Sequence, residues 1–301
     1  MYRTFICVFA LVGGLSSCSM PESKEQASLD WQGHRGARGL APENSIAGFL
    51  RALDFPEIQT LELDLVVSQD RQLIVSHEPW MGAHICRLPD GNPVTEAQED
   101  SLLIFNMTLE EVQRYDCGSR GNARFPEQRG EVTFKPLLQD VVYTVDEYAD
   151  QKAKPRPRYN IELKSRPEWY AKLTPPPAEF ARLLMNELTA LDLRERSTVQ
   201  SFDMQILEAV HRIAPKQQTA LLTEETAGLA ADLARLSYRP EIVSPYHQLV
   251  SRNYVEQAHE LGMRVVPWTV NEVADMRAML AYGVDGIITD YPNRIAEALA
   301  E

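Results

Sequence analysis

Residues 198–222 read TVQSFDMQILEAVHRIAPKQQTALL and contain one unit of a pattern that recurs along the chain. A short apolar run at 198–202 is followed by an amphipathic stretch at 204–213 and by a second apolar run at 218–222. The middle segment has apolar residues at helical spacing, whereas the flanking runs have the length of buried strands. The stretch therefore predicts a strand, a helix and a second strand parallel to the first.

The same alternation continues in both directions, without a fixed sequence period. Eight strands are predicted, at residues 32–37, 59–68, 159–164, 198–202, 218–222, 241–245, 264–269 and 286–289. Helices are predicted between and after them, at residues 45–53, 137–152, 178–191, 204–213, 226–236, 251–261, 272–282 and 292–300. Eight strands, each followed by a helix, are typical of a (β/α)₈ TIM barrel in the α/β class.

One further strand departs from this scheme. Residues 72–77 follow the second strand after only a few polar residues, and a parallel crossover needs about a dozen. We therefore predict a hairpin that returns His77 to the barrel rim near Glu62 and Asp64. Residues 78–135, which come next, show no regular period and are predicted to form an insertion on the same rim.

The composition is that of a globular protein. The chain has 301 residues, of which 44% are hydrophobic and 24% are charged, and this excludes a fully disordered or fibrous chain. Its formal net charge of −13 argues against a nucleic-acid-binding protein, which usually has a basic face. Because one barrel commonly needs about 200–250 residues or more, residues 31–301 are predicted to form a single barrel domain.

The N-terminus resembles an export signal. An apolar run at 5–15 follows Arg3 and is too short to span a bilayer. The sequence Leu-Ser-Ser-Cys that ends at Cys18 resembles the lipobox of bacterial lipoproteins, in which the cysteine is lipidated. The resemblance implies a signal peptide at 1–17, a lipidated tether at 18–30 and a membrane-anchored lipoprotein facing the periplasm. An ordinary signal peptide with a cysteine near its cleavage site is the alternative.

Two cysteines remain after Cys7 is removed with the signal and Cys18 is lipidated. Cys86 and Cys117 both lie in the insertion. Because exported proteins fold in an oxidising compartment, we predict that these two form a disulfide, with two free buried thiols as the alternative.

Acidic side chains occupy the ends of two predicted strands. Glu62 and Asp64 are two residues apart, so both side chains point to one face, and Glu162 lies on the next barrel strand. Three carboxylates are costly to bury together unless a cation holds them, and oxygen ligands suit Ca²⁺ or Mg²⁺. We therefore predict a site for one divalent cation. The alternative is that the carboxylates pair with Arg35 and Lys164.

Two histidines at strand ends, His34 and His77, suit general acid–base chemistry beside that site. One can take a proton from a nucleophile while the other protonates a leaving oxygen. Arg35 and Lys164 can neutralise a phosphate or serve as salt-bridge partners. The remaining histidines are assigned structural or surface positions: His84, His211, His247 and His259.

These fragments, in this order, resemble the glycerophosphodiester phosphodiesterase family. The resemblance extends from residue 33 to about residue 300 and includes His-Arg-Gly at 34–36, Pro-Glu-Asn-Ser at 42–45, Glu-Leu-Asp at 62–64, His77, Glu-Leu-Lys at 162–164, Ser-Phe at 201–202, Trp-Thr-Val-Asn at 268–271 and Thr-Asp-Tyr-Pro at 289–292. Each fragment alone is weakly specific, but the match is strong because the fragments occur in the family's order and lie at the ends of predicted strands. The departures are small: Glu78 follows His77 where the family often has Asp, and Ser45 stands where Thr is common.

The resemblance implies a metal-dependent hydrolase that cleaves a glycerophosphodiester into sn-glycerol 3-phosphate and an alcohol. By position, the resemblance implies that Glu62, Asp64 and Glu162 bind the cation, Ca²⁺ or Mg²⁺, and that His34 and His77 are the acid–base pair. It also implies that Arg35 and Lys164 lie near the phosphate, and that Phe202 and Trp268 are apolar residues on the glycerol side. Glu43 matches a family acid near the metal, and we expect it to support the first helix or a ligand instead of binding the cation.

The sequence leaves other functions open. A related barrel of the sphingomyelinase D type cyclises a phospholipid head group and would use exposed aromatic loops at a membrane, where Trp80 and Met81 could serve. A non-catalytic lipoprotein that binds phosphodiesters is a third possibility. The expected partner is a small-molecule glycerophosphodiester, with no nucleic acid and with membrane contact through the lipid alone. The nucleophile is either water or the glycerol 2-hydroxyl of the substrate.

Overall fold

The structure is a computed structural model that describes residues 1–2, 29–225 and 228–300. The predicted signal peptide beyond residue 2, Cys18 and nearly all of the tether therefore lie outside the described residues. No helix within the described ranges is both long enough and apolar enough to cross a bilayer.

A barrel of eight parallel strands forms the centre of the molecule. The strands, with one antiparallel addition, are β1 (Asp30–Gly33), β2 (Ile58–Val67), β3 (Leu73–Val75), β4 (Arg158–Leu163), β5 (Ser197–Ser201), β6 (Gln218–Thr223), β7 (Ile242–Pro245), β8 (Arg264–Val265) and β9 (Gly286–Thr289). Their order around the barrel is β8-β7-β6-β5-β4-β2-β1-β9. Backbone hydrogen bonds from Asp285 to Val265 and from Ile288 to Pro267, 2.9 and 3.0 Å long, connect the two ends. The predicted (β/α)₈ barrel is confirmed.

Helices connect the strands and cover the outside of the barrel. They are α1 (Ile46–Leu53), α2 (Glu96–Glu99), α3 (Leu109–Val112), α4 (Leu138–Gln151), α5 (Pro177–Ala190), α6 (Met204–Ile213), α7 (Leu229–Leu233), α8 (Arg252–Glu260), α9 (Val273–Tyr282) and α10 (Ile295–Leu299). Most predicted elements agree within a few residues. The predicted strand at 264–269 is shorter, because Pro267 has no N–H for a strand ladder.

The hairpin after the second barrel strand is present as predicted. Strand β3 pairs antiparallel with the end of β2, with Leu65 opposite Val75. The Val75 amide donates to the carbonyl oxygen of Pro136 at 2.8 Å, so the chain leaves and re-enters the barrel at one point. The intervening segment lies on the rim, as expected for the insertion.

The insertion has more regular structure than its sequence indicated. It contains α2, α3 and a core shared with Val66 and Ile74 of the hairpin, in which Met81 and Ile104 are fully buried. Cys86 and Cys117 form a disulfide within this core. Met81 is therefore not available to an exposed loop of the kind that the membrane-active alternative would use, because the insertion packs around it.

The loop between β1 and α1 is held by close backbone packing. Gly36 has φ +85°, and a Cβ atom there would lie 2.5 Å from the carbonyl carbon of Gly48 in α1. The Ser45 hydroxyl caps α1 by accepting a hydrogen bond from the Gly48 amide at 3.0 Å. Only glycine at position 36 permits this close approach of the loop to α1. The close packing fixes the position of His34 and Arg35 at the end of β1.

Candidate active site

A cavity of about 560 Å³ opens at the carboxyl ends of the barrel strands. In barrels of this type the active site lies at this end. The cavity wall contains all the predicted cation ligands except Asp64. It also contains both predicted acid–base histidines and all four predicted phosphate and glycerol neighbours. The residues that line the cavity are His34, Arg35, Arg38, Glu43, Glu62, His77, Glu78, Pro79, Trp80, His84, Arg124, Glu162, Lys164, Arg166, Trp169, Gln200, Phe202, Leu222, Glu224, Trp268, Thr269 and Ile288.

Three acidic side chains converge beneath the cavity. Glu62, Asp64 and Glu162 are all buried, and each contributes a carboxylate oxygen to a cluster whose oxygens lie within 4.8 Å of one another. Asp64 and Glu162 are direct neighbours in the parallel ladder between β2 and β4. The spacing of two residues in β2 places Glu62 on the same face as Asp64.

The charge of this cluster is only partly balanced by the protein. Burial and the nearby Asp64 carboxylate raise the pKa of Glu62 well above its usual value. Burial raises the pKa of Glu162 to about 7, although Lys164 opposes the shift. Burial also disfavours the charged form of Asp64, but Arg35, Lys164 and other neighbours together outweigh it and lower that pKa. Glu62 and Glu162 therefore need additional positive charge nearby to be fully ionised. A divalent cation with oxygen ligands would supply that charge.

Arg35 and Lys164 lie among these acids. The Lys164 ammonium donates to a Glu162 oxygen at 2.8 Å, and the Arg35 Nε lies 3.2 Å from an Asp64 oxygen. Arg35 Nη1 also donates to Glu43 at 2.8 Å, so Glu43 holds the guanidinium in place. The salt-bridge alternative thus describes contacts that are present, but the two cations cannot neutralise all four carboxylates when every one is ionised.

His34 is fixed by a buried charged network. Its Nδ1 lies 2.7 Å from an Asp290 oxygen, and Asp290 accepts two hydrogen bonds from Arg38, at 2.8 and 3.0 Å. The Asn271 amide donates to the same carboxylate at 2.8 Å. Burial, supported by the Arg38 charge, lowers the pKa of His34 to about 4 despite the opposing effect of Asp290. The Nε2 atom points back towards Glu62, 3.9 Å away.

His77 has a simpler support at the start of the insertion. Its Nδ1 lies 2.7 Å from a Glu78 oxygen, and the other Glu78 oxygen lies 3.9 Å from His84 Nε2. Burial, together with the charges of Arg35 and Lys164, lowers the pKa of His77. His84, which sequence reasoning assigned to a structural or surface position, in fact forms part of the cavity wall.

Aromatic side chains form two walls of the cavity. Phe202 and Trp268 meet edge to face with ring centroids 5.4 Å apart, and Trp268 Nε1 donates to the Ser244 carbonyl at 2.8 Å. Trp80 and Trp169 make a second edge-to-face pair at 6.4 Å. The first pair follows β5 and β8, whereas the second joins the insertion to the loop after β4. The two walls therefore flank the acidic cluster on different sides.

Sequence reasoning missed the residues that hold the catalytic candidates in place. Asp290 enters the sequence analysis only within the fragment at 289–292, and Arg38 and Glu78 have no role in it. For Asp290 the signal was its place in the fragment at 289–292, directly after the last strand. Arg38 carries no such signal, because its pairing with Asp290 spans 252 residues of sequence.

Comparison with known proteins places the chain in a family. The glycerophosphoryl diester phosphodiesterase family matches residues 34–294. A Bacillus subtilis protein described as a candidate glycerophosphodiester phosphodiesterase is 28% identical over 270 residues, which cover 87% of this chain and 94% of that protein.

Solved structures agree with this assignment. A candidate glycerophosphoryl diester phosphodiesterase from Silicibacter pomeroyi is 31% identical with a TM-score of 0.78, and the match covers 91% of this chain and 93% of that structure. A phosphodiesterase from Oleispira antarctica, solved with the product sn-glycerol 3-phosphate, shares the fold at 20% identity with a TM-score of 0.69, covering 90% of this chain and 96% of that one. The chain belongs to the glycerophosphoryl diester phosphodiesterase family.

Proposed function

We propose that the protein hydrolyses glycerophosphodiesters to sn-glycerol 3-phosphate and an alcohol, with one Ca²⁺ or Mg²⁺ bound by Glu62, Asp64 and Glu162. The observation that carries this proposal is the buried cluster of these three carboxylates in a cavity that also presents His34 and His77. The product bound to the Oleispira antarctica phosphodiesterase supports the substrate class.

The charged residues around the cluster suit a phosphodiester substrate. When bound, the divalent cation supplies positive charge that polarises a phosphoryl oxygen. Lys164 and Arg35 add fixed positive charge and hydrogen-bond donors for the other phosphoryl oxygens, and their charge is of most value as negative charge accumulates in the transition state. Phe202 and Trp268 offer an apolar surface to the carbon face of glycerol.

The two histidines carry the proton transfers. In the neutral rings, the Nδ1–H of His34 donates a hydrogen bond to Asp290 and that of His77 donates to Glu78, so Nε2 of each ring is free to accept a proton. One histidine takes the proton of the nucleophile as its oxygen attacks phosphorus. The other, in its protonated form, donates to the leaving oxygen as the phosphorus–oxygen bond to the alcohol breaks.

Two nucleophiles satisfy this scheme. Water yields sn-glycerol 3-phosphate in one displacement, and the oxygen of water then resides in the phosphate. The glycerol 2-hydroxyl instead gives a cyclic phosphate, which water opens in a second step. Phosphorus NMR during a single turnover separates the two routes, because only the second produces a transient cyclic phosphodiester signal.

The proposal is tested with purified protein, glycerophosphoglycerol and titrated Ca²⁺ or Mg²⁺. We expect turnover with metal, less than 1% of it in excess chelator, and release of sn-glycerol 3-phosphate. Asp64→Asn should lose both activity and calorimetrically measured Ca²⁺ binding, while Asp150→Asn, at an exposed position in α4, serves as the matched control. Full activity in chelator, or undiminished cation binding by the Asp64 variant, would refute the proposal.

We also propose that the protein is an exported lipoprotein attached to a membrane through Cys18. The support is the lipobox-like sequence at 15–18. The two or three acyl chains of a lipoprotein would hold the protein stably at a membrane, whereas one chain holds a protein only weakly. Cys18→Ala should release active enzyme into the soluble fraction. Retention of that variant on membranes after a high-salt wash would contradict this anchor.

The membrane-active alternative receives less support. Met81 is fully buried, and Trp80 packs against Trp169, so these residues do not form an exposed apolar loop. Small deacylated phosphodiesters are therefore the favoured substrates over intact phospholipids.

A further inference from the structure

The proposed function leaves the alcohol portion of the substrate undefined, and the cavity has a second half that the mechanism does not use. The glycerol side is formed by residues after β5, β6, β8 and β9. The rest of the rim is formed by the insertion, which contributes Trp80 and Arg124, and by the loop after β4, which contributes Arg166 and Trp169. With the glycerol placed against Phe202 and Trp268, as proposed above, the alcohol lies on this second side.

The cations of the cavity fall into two groups. Arg35, Arg38 and Lys164 each have a carboxylate partner within the site. Arg124 and Arg166 also line the cavity, but neither forms an ion pair with any carboxylate of the described residues. Their positive charge is therefore uncompensated where the alcohol would lie.

Both arginines are attached to well-ordered structure. Arg124 precedes Phe125, a buried residue whose ring receives the guanidinium of Arg38 at 4.6 Å. The neighbouring Gln128 donates to the Arg38 carbonyl at 2.7 Å, so this part of the insertion is fastened to the end of β1. Arg166 lies over the Trp169 ring at 5.2 Å, which holds its long side chain beside the second aromatic wall.

The acids on this side do not cancel the two charges. Glu78 is already engaged by His77 and lies near His84. Glu224 lies beyond β6, on the glycerol side of the cavity. The positive charge stands out further because the whole chain has a net charge of −13.

We propose that Arg124 and Arg166 form a subsite for a second phosphate group on the alcohol portion of the substrate. This proposal rests on the proposed function and specifies its substrate class: a glycerophosphodiester whose alcohol itself carries a phosphate. A guanidinium presents paired N–H donors that match phosphate oxygens, whereas a quaternary ammonium or primary amine would be repelled. The Trp80 and Trp169 rings provide the surface along which the linking carbons lie.

The test compares three substrates: bis(glycerophospho)glycerol, glycerophosphoglycerol and glycerophosphocholine. The first two differ by one glycerophosphate unit, so the ratio of their kcat/KM values isolates the second phosphate. We expect the wild type to favour the first and to cleave the choline ester least. Arg124→Gln and Arg166→Gln should each lower the ratio about three-fold, and the double variant about ten-fold, as expected for exposed charge pairs. The preference should also weaken with increasing salt.

A control variant and a control substrate keep the outcomes separate. Arg182→Gln removes an exposed arginine from α5 on the outside of the barrel and should leave the ratio unchanged. Turnover of glycerophosphoglycerol by Arg182→Gln should also stay near the wild-type level. An unchanged ratio in the double variant, or a wild-type preference for the choline ester, would overturn this inference alone. Failure of the wild type to cleave any of the three would overturn the proposed function as well.

Discussion

His34 and His77 both hydrogen-bond a carboxylate through Nδ1, at the same distance of 2.7 Å, but the protein supports the two pairs differently. The His34 side chain is 11% exposed, and its partner Asp290 is bound by Arg38 and Asn271. The His77 side chain is 30% exposed, and its partner is the adjacent residue, Glu78. One pair lies at the ends of the first and last barrel strands, whereas the other lies where the hairpin meets the insertion. The proposed acid–base pair therefore combines one histidine whose partner is held by several residues with one whose partner is its neighbour in sequence.

The largest effect is expected when the two rings are removed. His34→Ala and His77→Ala should each lower kcat by about 10²- to 10⁴-fold, the usual contribution of a positioned acid or base. Steady-state kinetics with glycerophosphoglycerol provide the measurement. Wild-type turnover by either variant would show that the two pairs are not equivalent in function.

A substrate with p-nitrophenol as its leaving alcohol sharpens this result. Such a leaving group needs no proton, so the variant that lacks the general acid should recover most of its activity, and the variant that lacks the base should not. Equal recovery by both variants would contradict a division of acid and base between the two histidines.

The supporting carboxylates should differ in their effect on stability. Asp290→Asn leaves the buried Arg38 guanidinium without its charge partner, and we expect a loss of about 3–5 kcal/mol in the free energy of unfolding. Glu78→Gln should cost about 1 kcal/mol or less, because its partners are partly exposed histidines. Urea unfolding of both variants measures the difference. Similar losses would mean that the two supports are equally rigid.

The disulfide should affect the His77 pair and spare the His34 pair. Cys86 and Cys117 enclose a loop of about thirty residues, for which the chain-entropy model gives a stabilisation of about 3–4 kcal/mol. In a double Cys→Ser variant, amides of the insertion should exchange faster with solvent while those of β1 and its loop keep their protection. Faster exchange in both regions would show that the barrel depends on the insertion.

The smallest predicted effect concerns the pH dependence of stability in the metal-free protein. The pKa of His34 is lowered to about 4, below its usual value near 6.5, so between these values the unfolded chain binds a proton that the folded chain does not. The His34 contribution to stability should therefore fall as the pH falls below 6.5, by about 2 kcal/mol at pH 5, whereas the raised pKa values of Glu62 and Glu162 act in the opposite direction. The pKa of Asp290 is lowered too, but its contribution is lost only in much stronger acid.

Comparison of unfolding at pH 7 and pH 5 in chelator checks this prediction. Relative to the wild type, His34→Asn should gain about 2 kcal/mol of stability at pH 5 compared with pH 7, whereas His77→Asn should gain less. An identical pH dependence in the wild type and in His34→Asn would show that His34 does not make this contribution.

The sequence predicted those parts of the molecule that follow from periodicity. Alternating strands and helices gave the barrel, and the two-residue spacing of Glu62 and Asp64 placed both on one face. The short spacing after β2 predicted the hairpin that returns His77. In each case a local pattern determines the direction of a side chain or of the chain itself.

Other features depend on contacts between distant segments and could not be predicted in this way. The pairing of Arg38 with Asp290 joins the first and last strands, and no local spacing indicates it. Burial of Met81 depends on how an aperiodic insertion folds around its disulfide. The position of His84 in the cavity wall has the same origin, because its neighbours in sequence show no alternation of polar and apolar residues.

The hydrogen bond between Val75 and Pro136 brings together the two points where the insertion leaves and rejoins the barrel. A segment anchored in this way is a replaceable module, because its length and sequence can change without moving the strands on either side. Evolution can then diversify the insertion, which we propose meets the leaving alcohol, while the barrel keeps the acidic cluster and His34. A protein engineer can exploit the same junction, by exchanging the residues between 78 and 135 for those of a relative while keeping His77 in place.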